Sequence, residues 1–405
     1  MMTDPKRTAL HEEHTALGAS FTDFGGWDMP LKYGSELAEH RAVREAAGLF
    51  DLSHMGEVWV SGPDAAAFLN TALVGNLAAV AVGRAKYSLI CDAGGGIVDD
   101  LIVYRITDTR YLVVPNAGNA ETVAGLLAER AEGFHAEVSN ASAETSLVAV
   151  QGPAAERILL DLLDERQHEA VTGLRYYAWA AASIGGSGSA TASGPDTGSM
   201  PDRGSGADTG SGIAAGAPID VLLARTGYTG EDGFELFVPN DRAAELWRLL
   251  LAAGAPHGLI PAGLASRDSL RLEAGMPLYG NELSREVTPF EAGLGPVVSF
   301  AKEERFAGRD ALEARREAGP GMRLVGLRGS GRRAGRAGYS VLSGGEVVGR
   351  ITSGQPSPTL GYPVALAYVS PEHAEIGTRL EVDLRGRPEP FEVVPLPFYR
   401  RPATG

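Results

Sequence analysis

Three groups of residues in this chain could do chemistry, and each lies where neighbouring residues must hold its side chains. In Asp99-Asp100-Leu101-Ile102-Val103-Tyr104 two carboxylates open a strand. Side chains alternate along a strand, so Asp100 shares a face with Ile102 and Tyr104, while Asp99 goes with Leu101 and Val103. The pair cannot form a catalytic dyad; one member can enter a pocket while the other caps the turn. In Phe234-Glu235-Leu236-Phe237-Val238 one carboxylate interrupts an apolar strand, on the face opposite Phe234, Leu236 and Val238. A buried carboxylate needs donors, unless Glu235 lies on the wet face of a half-exposed strand; an internal salt bridge would also serve. Arg267 and Arg271 lie four apart in Arg267-Asp268-Ser269-Leu270-Arg271 and share a helix face. They either pair with Asp268 or Glu273, or recognise a carboxylate with their forked donors.

Other chemistries are missing from the pattern. Cys91 is the only cysteine, which excludes an intrachain disulfide, a CxxC pair and a thiolate zinc site. His11 and His14 lie three apart near an N-terminal end expected to be exposed, with no third ligand, so no metal site is expected. No nucleophile elbow, phosphate-binding GxxxxGK[ST] loop or GxGxxG fingerprint occurs. Gly94-Gly95-Gly96 has no following lysine and reads as a hairpin turn. Separate carboxylates, arginines and aromatics remain, a set suited to holding a polar heteroaromatic ligand.

The elements that must position these residues follow from periodicity. The first fifty residues read as helices joined by a loop, Ser35 capping a helix that stops near Gly48. A loop, 51–57, leads into a strand, and a short helix spans 63–73. Strands follow at 87–90, 97–105 and 111–114, then a helix at 120–131 and a strand at 146–150. After a strand at 219–224 comes Arg225-Thr226-Gly227-Tyr228-Thr229-Gly230-Glu231-Asp232-Gly233, where Asp232-Gly233 predicts a tight primed turn. Between them, residues 187–212 are glycine, serine, alanine and threonine with almost no large apolar side chain, and read as a disordered surface insertion. Beyond Arg323 the short strands between Gly, Pro and Ser clusters predict an all-β barrel or sandwich. Arg323, Arg328, Arg332, Arg333 and Arg336 make a local basic cluster, read as a solvated loop.

At 405 residues the chain has room for two or three domains. A net charge of -15 argues against general nucleic-acid binding. The start lacks the apolar core of a signal peptide, and no apolar run reaches membrane-spanning length, so no membrane association and a soluble cytoplasmic protein are expected.

Taken together, these blocks resemble the T-protein of the glycine cleavage system, an aminomethyltransferase family. The match lies in Asp51-Leu52-Ser53-His54-Met55-Gly56-Glu57-Val58, Gly95-Gly96-Ile97-Val98-Asp99-Asp100-Leu101, Gln151-Gly152-Pro153, residues 225–236, and Arg267-Asp268-Ser269-Leu270-Arg271-Leu272-Glu273. It continues in Leu278-Tyr279-Gly280, Thr288-Pro289-Phe290-Glu291-Ala292-Gly293-Leu294 and Pro397-Phe398-Tyr399-Arg400. The resemblance implies transfer of the one-carbon unit of an aminomethyl-lipoyl arm, carried by the H-protein, to tetrahydrofolate, with no metal. It places folate contacts on Met55, Tyr87, Ile102, Tyr228, Glu235, Arg267 and, near the end, Tyr399 or Arg400, and makes Asp100 the catalytic aspartate. It also implies an α+β fold of three domains around a central folate channel, with antiparallel sheets flanked by helices. The first would be discontinuous (1–53 and 140–290), the second inserted (54–139), and a C-terminal barrel would span 310–405.

Two departures stand out: Pro296 follows Gly293-Leu294-Gly295 where many members carry tryptophan, and the insertion has no family counterpart. Alternative readings are a non-catalytic folate module of the iron–sulfur maintenance type and the folate domain of dimethylglycine or sarcosine dehydrogenases. The first is marked by a Lys-Gly-Cys-Tyr-type motif where this chain has Thr226-Gly227-Tyr228. The second needs a flavin fingerprint that does not occur here.

Overall fold

The apolar runs become strands that pair antiparallel almost throughout. The computed structural model describes residues 4–185 and 217–402, so the insertion expected at 187–212 lies outside the described residues. A six-stranded sheet runs in the order Trp179–Ile184, Ile219–Ala224, Gly233–Pro239, Thr145–Gln151, Ala47–Asp51 and Leu259–Pro261, the last strand being parallel to its neighbour. A five-stranded antiparallel sheet follows the order Ala85–Cys91, Ile97–Thr107, Arg110–Pro115, Val58–Ser61 and Glu137–Asn140. Its last strand runs one residue beyond the boundary expected at 139. Six short strands then close into a barrel, Arg323–Gly329 pairing with both Pro363–Val369 and Pro388–Val394. The fold is α+β, with sheets flanked by helices and a C-terminal closed barrel.

Each sheet uses its two faces differently. Phe234, Leu236 and Val238 turn outward onto Ile158 and Trp247 of the helices Ala155–Leu162 and Asn240–Gly254. Leu101 and Val103 likewise pack on Phe68 and Leu127, from Ala65–Ala72 and Ala120–Arg130. The inner faces meet each other. Phe50, Ala149 and Phe237 of the larger sheet form one cluster with Tyr104, Leu112 and Val114 of the smaller. Tyr104 and Phe237 meet edge to face with ring centroids 5.7 Å apart, worth about 0.5–1.5 kcal/mol beyond area burial. The barrel docks through Val364 and Leu366 on Leu272 of the helix Leu264–Glu273.

Four local expectations are corrected. Between the helices His11–Ala16 and Glu36–Glu45 lies a β-hairpin, Ser20–Phe24 with Trp27–Lys32, not a plain loop. Its turn is Gly25-Gly26, with φ of 60° and 85°, conformations that glycine reaches without strain. Ser35 does cap the second helix, accepting from the Ala38 N–H at 3.4 Å, but the helix ends at Glu45 and Gly48 belongs to the next strand. His14 is not exposed. It is buried, with Nε2 2.8 Å from Asp51 and Nδ1 2.9 Å from the Tyr33 hydroxyl. Asp232-Gly233 makes no primed turn either; Gly233 begins the next strand, and the positive φ falls on Gly230. Glycine is needed at 233 for space, because a Cβ there would lie 2.3 Å from Nε2 of Gln151.

Two outcomes follow from this architecture. Ile184 sits directly across from Ile219, so the chain leaves and rejoins the sheet at one end of a hairpin. Joining residue 186 to 213 should therefore change stability by no more than about 0.5 kcal/mol, the usual range for surface changes; loss of cooperative unfolding would contradict the hairpin reading. Glu57 is buried, and among the described residues neither of its carboxylate oxygens has a hydrogen-bond partner; burial raises its carboxyl well above the ordinary 4.5. Its neutral form suits the fold, so its contribution is intact below about pH 4.5 and is lost as pH rises through the raised value. Glu57→Gln should match the parent in urea unfolding near pH 4.5 and exceed it at pH 8 by about 1–3 kcal/mol.

Candidate functional site

The strand alternation predicted for the two carboxylates is what the backbone delivers. On the five-stranded sheet Asp100, Ile102 and Tyr104 face inward, Ile102 and Tyr104 joining the cluster between the sheets. Asp100 accepts from the Tyr87 hydroxyl at 3.1 Å and from Nδ2 of Asn116 at 2.8 Å. Asp99 turns away and is fully buried. It accepts from the Asn116 N–H at 2.8 Å, Asn116 Nδ2 at 2.9 Å and Asn119 Nδ2 at 2.8 Å, tying the strand to the turn after Arg110–Pro115. Thus one amide, that of Asn116, touches both carboxylates. Burial, then the charge of Asp100, pushes the Asp99 carboxyl up to about 7. Burial also raises Asp100, against the opposing bonds from Tyr87 and Asn116.

On the facing sheet Glu235 points inward beside Phe237. Its Oε2 accepts from the Thr226 hydroxyl and, at 3.4 Å, from that of Tyr104. Glu235 is only 9% exposed, so it does not lie on a wet face, and among the described residues no cation forms a salt bridge with it, although Arg267 lines the same cavity. Burial raises its carboxyl, Thr226, Arg267 and Tyr104 opposing. Glu235, Tyr228, Arg267 and Gln151 line one narrow cavity between sheet and helix.

The two arginines part company. Arg271 is buried and structural: it pairs with Asp268 at 2.8 Å and Glu282 at 3.0 Å, and donates to Ser353 of the barrel at 2.8 Å. Arg267 instead lies over the Tyr228 ring, 4.9 Å from its centroid, without an ion-pair partner among the described residues. Tyr228 donates to the Pro277 carbonyl. Met55 edges into the inter-sheet cluster. Tyr399 reaches the same loop from behind, through Arg44, 4.0 Å from its ring centroid. Arg400 is exposed and is not brought together with the others. Pro296 is exposed as well, in the short turn Gly295–Val297.

Sequence reasoning passed over four residues here. Tyr104 was within reach, since alternation already put it with Asp100. Thr226, in the turn block, is the donor that a carboxylate on the next strand requires. Asn116 left no signal, because its two carboxylate partners are 16 and 17 positions away. Tyr177 sits at φ 59°, a conformation uncommon for a non-glycine residue. Burial, then Tyr176, Glu235 and Asp100, raise its phenol, which puts it near both carboxylates. His54 is buried, and among the described residues neither ring nitrogen has a hydrogen-bond partner. Burial and the charge of Arg267 push it down to about 3, Asp51 opposing, so it is neutral. The site thus offers two carboxylates held by neutral donors, one free guanidinium and several aromatic faces. It can grip a polar ring and stabilise positive charge.

The GCVT N-terminal domain family matches residues 10–193 and 212–302, leaving out 194–211 inside the glycine-rich stretch. The glycine cleavage T-protein C-terminal barrel domain matches 323–400. The chain is 55% identical over 401 residues to the aminomethyltransferase of Streptomyces avermitilis, covering 98% of each. It is 53% identical over 402 residues to that of Corynebacterium aurimucosum, covering 99% of this chain and 100% of the relative. The solved glycine cleavage system aminomethyltransferase T from Bartonella henselae superposes with a TM-score of 0.82 at 34% identity, covering 98% of both chains. With family matches over 10–193, 212–302 and 323–400 and a fold shared over 98% of the chain, the chain belongs to the glycine cleavage T-protein family of aminomethyltransferases.

Proposed function

We propose that tetrahydrofolate binds between the two sheets and takes the methylene carbon from an aminomethyl-lipoyl arm presented by the H-protein. The products are ammonia, 5,10-methylenetetrahydrofolate and the dihydrolipoyl arm. The observation that carries this reading is the opposition of Asp100 and Glu235 across the inter-sheet space. Tyr104 links the two sheets: its hydroxyl reaches Glu235, and it stands four positions from Asp100 on one strand face, about 13 Å along the strand, with Ile102 between them. In this reading the pterin is held by one edge at Glu235, with its reacting nitrogens toward Asp100.

Each residue has a defined task in this reading. Glu235 accepts two N–H bonds from the amidine-like edge of the pterin, a paired contact that a neutral amide cannot match. Tyr228, Ile102 and Met55 cover the ring, and Arg267 remains free to meet a carboxylate of the folate tail. Tyr87 and Asn116 aim Asp100, whose negative charge orients N5 and offsets the positive charge that builds as ammonia departs and an iminium-like carbon forms. Tyr399 and Arg400 would meet the outer part of the folate. No helix among the described residues is long and apolar enough to cross a membrane, in keeping with a cytoplasmic reaction. The proposed transfer uses no metal.

Single-turnover transfer from aminomethylated H-protein, with and without saturating tetrahydrofolate, tests the activity. Asp100→Asn should lower the rate by about 10²–10³, roughly 2.7–4 kcal/mol, with a smaller change in folate affinity. Asp99→Asn would set its own amide hydrogens against three donors, and should cost about 1–3 kcal/mol of stability while leaving the rate near normal. A normal rate in both variants would remove the catalytic role. Glu235→Gln should weaken tetrahydrofolate binding by about 1.5–3 kcal/mol in a fluorescence titration; an unchanged titration would return Glu235 to a structural role.

A further inference from the structure

Away from both carboxylates, one guanidinium joins four separate parts of the chain. Arg44 stands near the end of the helix Glu36–Glu45 with its side chain 6% exposed. Its Nη1 donates to the Thr229 carbonyl at 2.7 Å and to Glu231 at 2.8 Å, both in the loop that carries Tyr228. Its Nε and Nη2 donate to Glu273 at 3.2 and 2.8 Å, at the end of the helix that carries Arg267. Nε also reaches the Thr359 hydroxyl of the barrel at 3.3 Å. The guanidinium lies over the Tyr399 ring at 4.0 Å, and the Tyr399 N–H donates to the Glu273 carbonyl at 2.8 Å.

We propose that Arg44 is a positioning residue for the folate site. It fixes the gap between the Tyr228 loop and the Arg267 helix, seats the C-terminal segment behind them, and so sets tetrahydrofolate affinity without touching the ligand. This rests on the folate reading given above. The geometry requires arginine in particular. A planar fork can serve carboxylates along its edges while its face stacks on a ring, and a lysine ammonium can do only one of these well. With lysine, Glu231 and Glu273 would share a single point charge, and the loop and helix would separate. Asp100 lies on the other sheet, held by Tyr87 and Asn116, and none of these three touches Arg44. The chemical step should therefore be spared.

The test compares the full-length parent with Arg44→Lys, varying tetrahydrofolate at saturating aminomethylated H-protein, together with direct titration of tetrahydrofolate. The expected result is a KM and Kd raised about tenfold or more, with kcat within a few-fold of the parent. A merely structural residue would reduce the active fraction, lowering kcat and leaving KM alone; that pattern, or an unchanged Kd, overturns the inference. Glu231→Gln removes one of the charges Arg44 holds and guards against misfolding of the lysine variant. It should raise Kd in the same direction by a smaller factor, and an unchanged Kd in a folded Glu231→Gln protein overturns the inference independently. If the parent itself fails to bind tetrahydrofolate, the folate reading fails and this inference falls with it. If the parent binds normally and neither variant shifts Kd, only the role of Arg44 is lost.

Discussion

A strand has two faces, and in both sheets one of them is fully committed to helices. The inner faces are left to meet each other, so polar groups there are largely shielded from water, Glu235 buried and Asp100 half-buried. Two carboxylates in such a place are expensive, and the way they are held decides what they can do. Asp100 has a tyrosine hydroxyl and an asparagine amide; Glu235 has a threonine and a tyrosine hydroxyl. These neutral donors orient the carboxylates without cancelling their charge. The cations serve the frame instead: Arg271 on Asp268 and Glu282, Arg225 on Asp232 and Glu156, Arg44 on Glu231 and Glu273. A salt bridge at either inner carboxylate would have neutralised that charge.

That frame is built from close approaches more than from long elements. Gln151 ends the central strand of the larger sheet, and its side chain donates to the Thr226 carbonyl at 3.0 Å and accepts from the Thr229 hydroxyl at 3.0 Å. It lies so near the loop that only glycine fits at 227 and 233. The next residue, Gly152, has φ 134° and lies so close to the chain after the second helix that a Cβ would fall 2.5 Å from the Ala46 carbonyl. The Gln-Gly motif therefore acts as a clamp that holds the Tyr228 loop over Glu235.

What the sequence revealed follows from the range over which each signal acts. Alternation has a period of two, so the inward sets Asp100-Ile102-Tyr104 and Glu235-Phe237 could be read within six residues. The barrel was legible from short strands punctuated by turn residues. The hairpin at 20–32 leaves little trace in the sequence, because Phe21, Asp23, Trp27 and Met29 give no clean alternation. His14 was placed at an exposed end because its partner, Asp51, is 37 positions away. Arg44 meets Glu273 across 229 positions; no local pattern announces such a contact. The glycine at 233 was assigned to a turn when its reason is the bulk of Gln151, a constraint that exists only after the sheet has formed.

The path of the last residues bears on the order in which the protein becomes competent. After the barrel's final strand, Pro388–Val394, the chain turns back, and Arg401 comes within 3.4 Å of Asp232 while Tyr399 bonds Glu273. Both sheets can form once residue 261 has been synthesised, long before the barrel exists. The Tyr228 loop, by contrast, lacks its rear support until residues 399–401 have left the ribosome and folded back. A nascent chain can therefore hold its core well before the Tyr228 loop is backed, and that loop gains its finished surroundings only once residues 399–401 are in place.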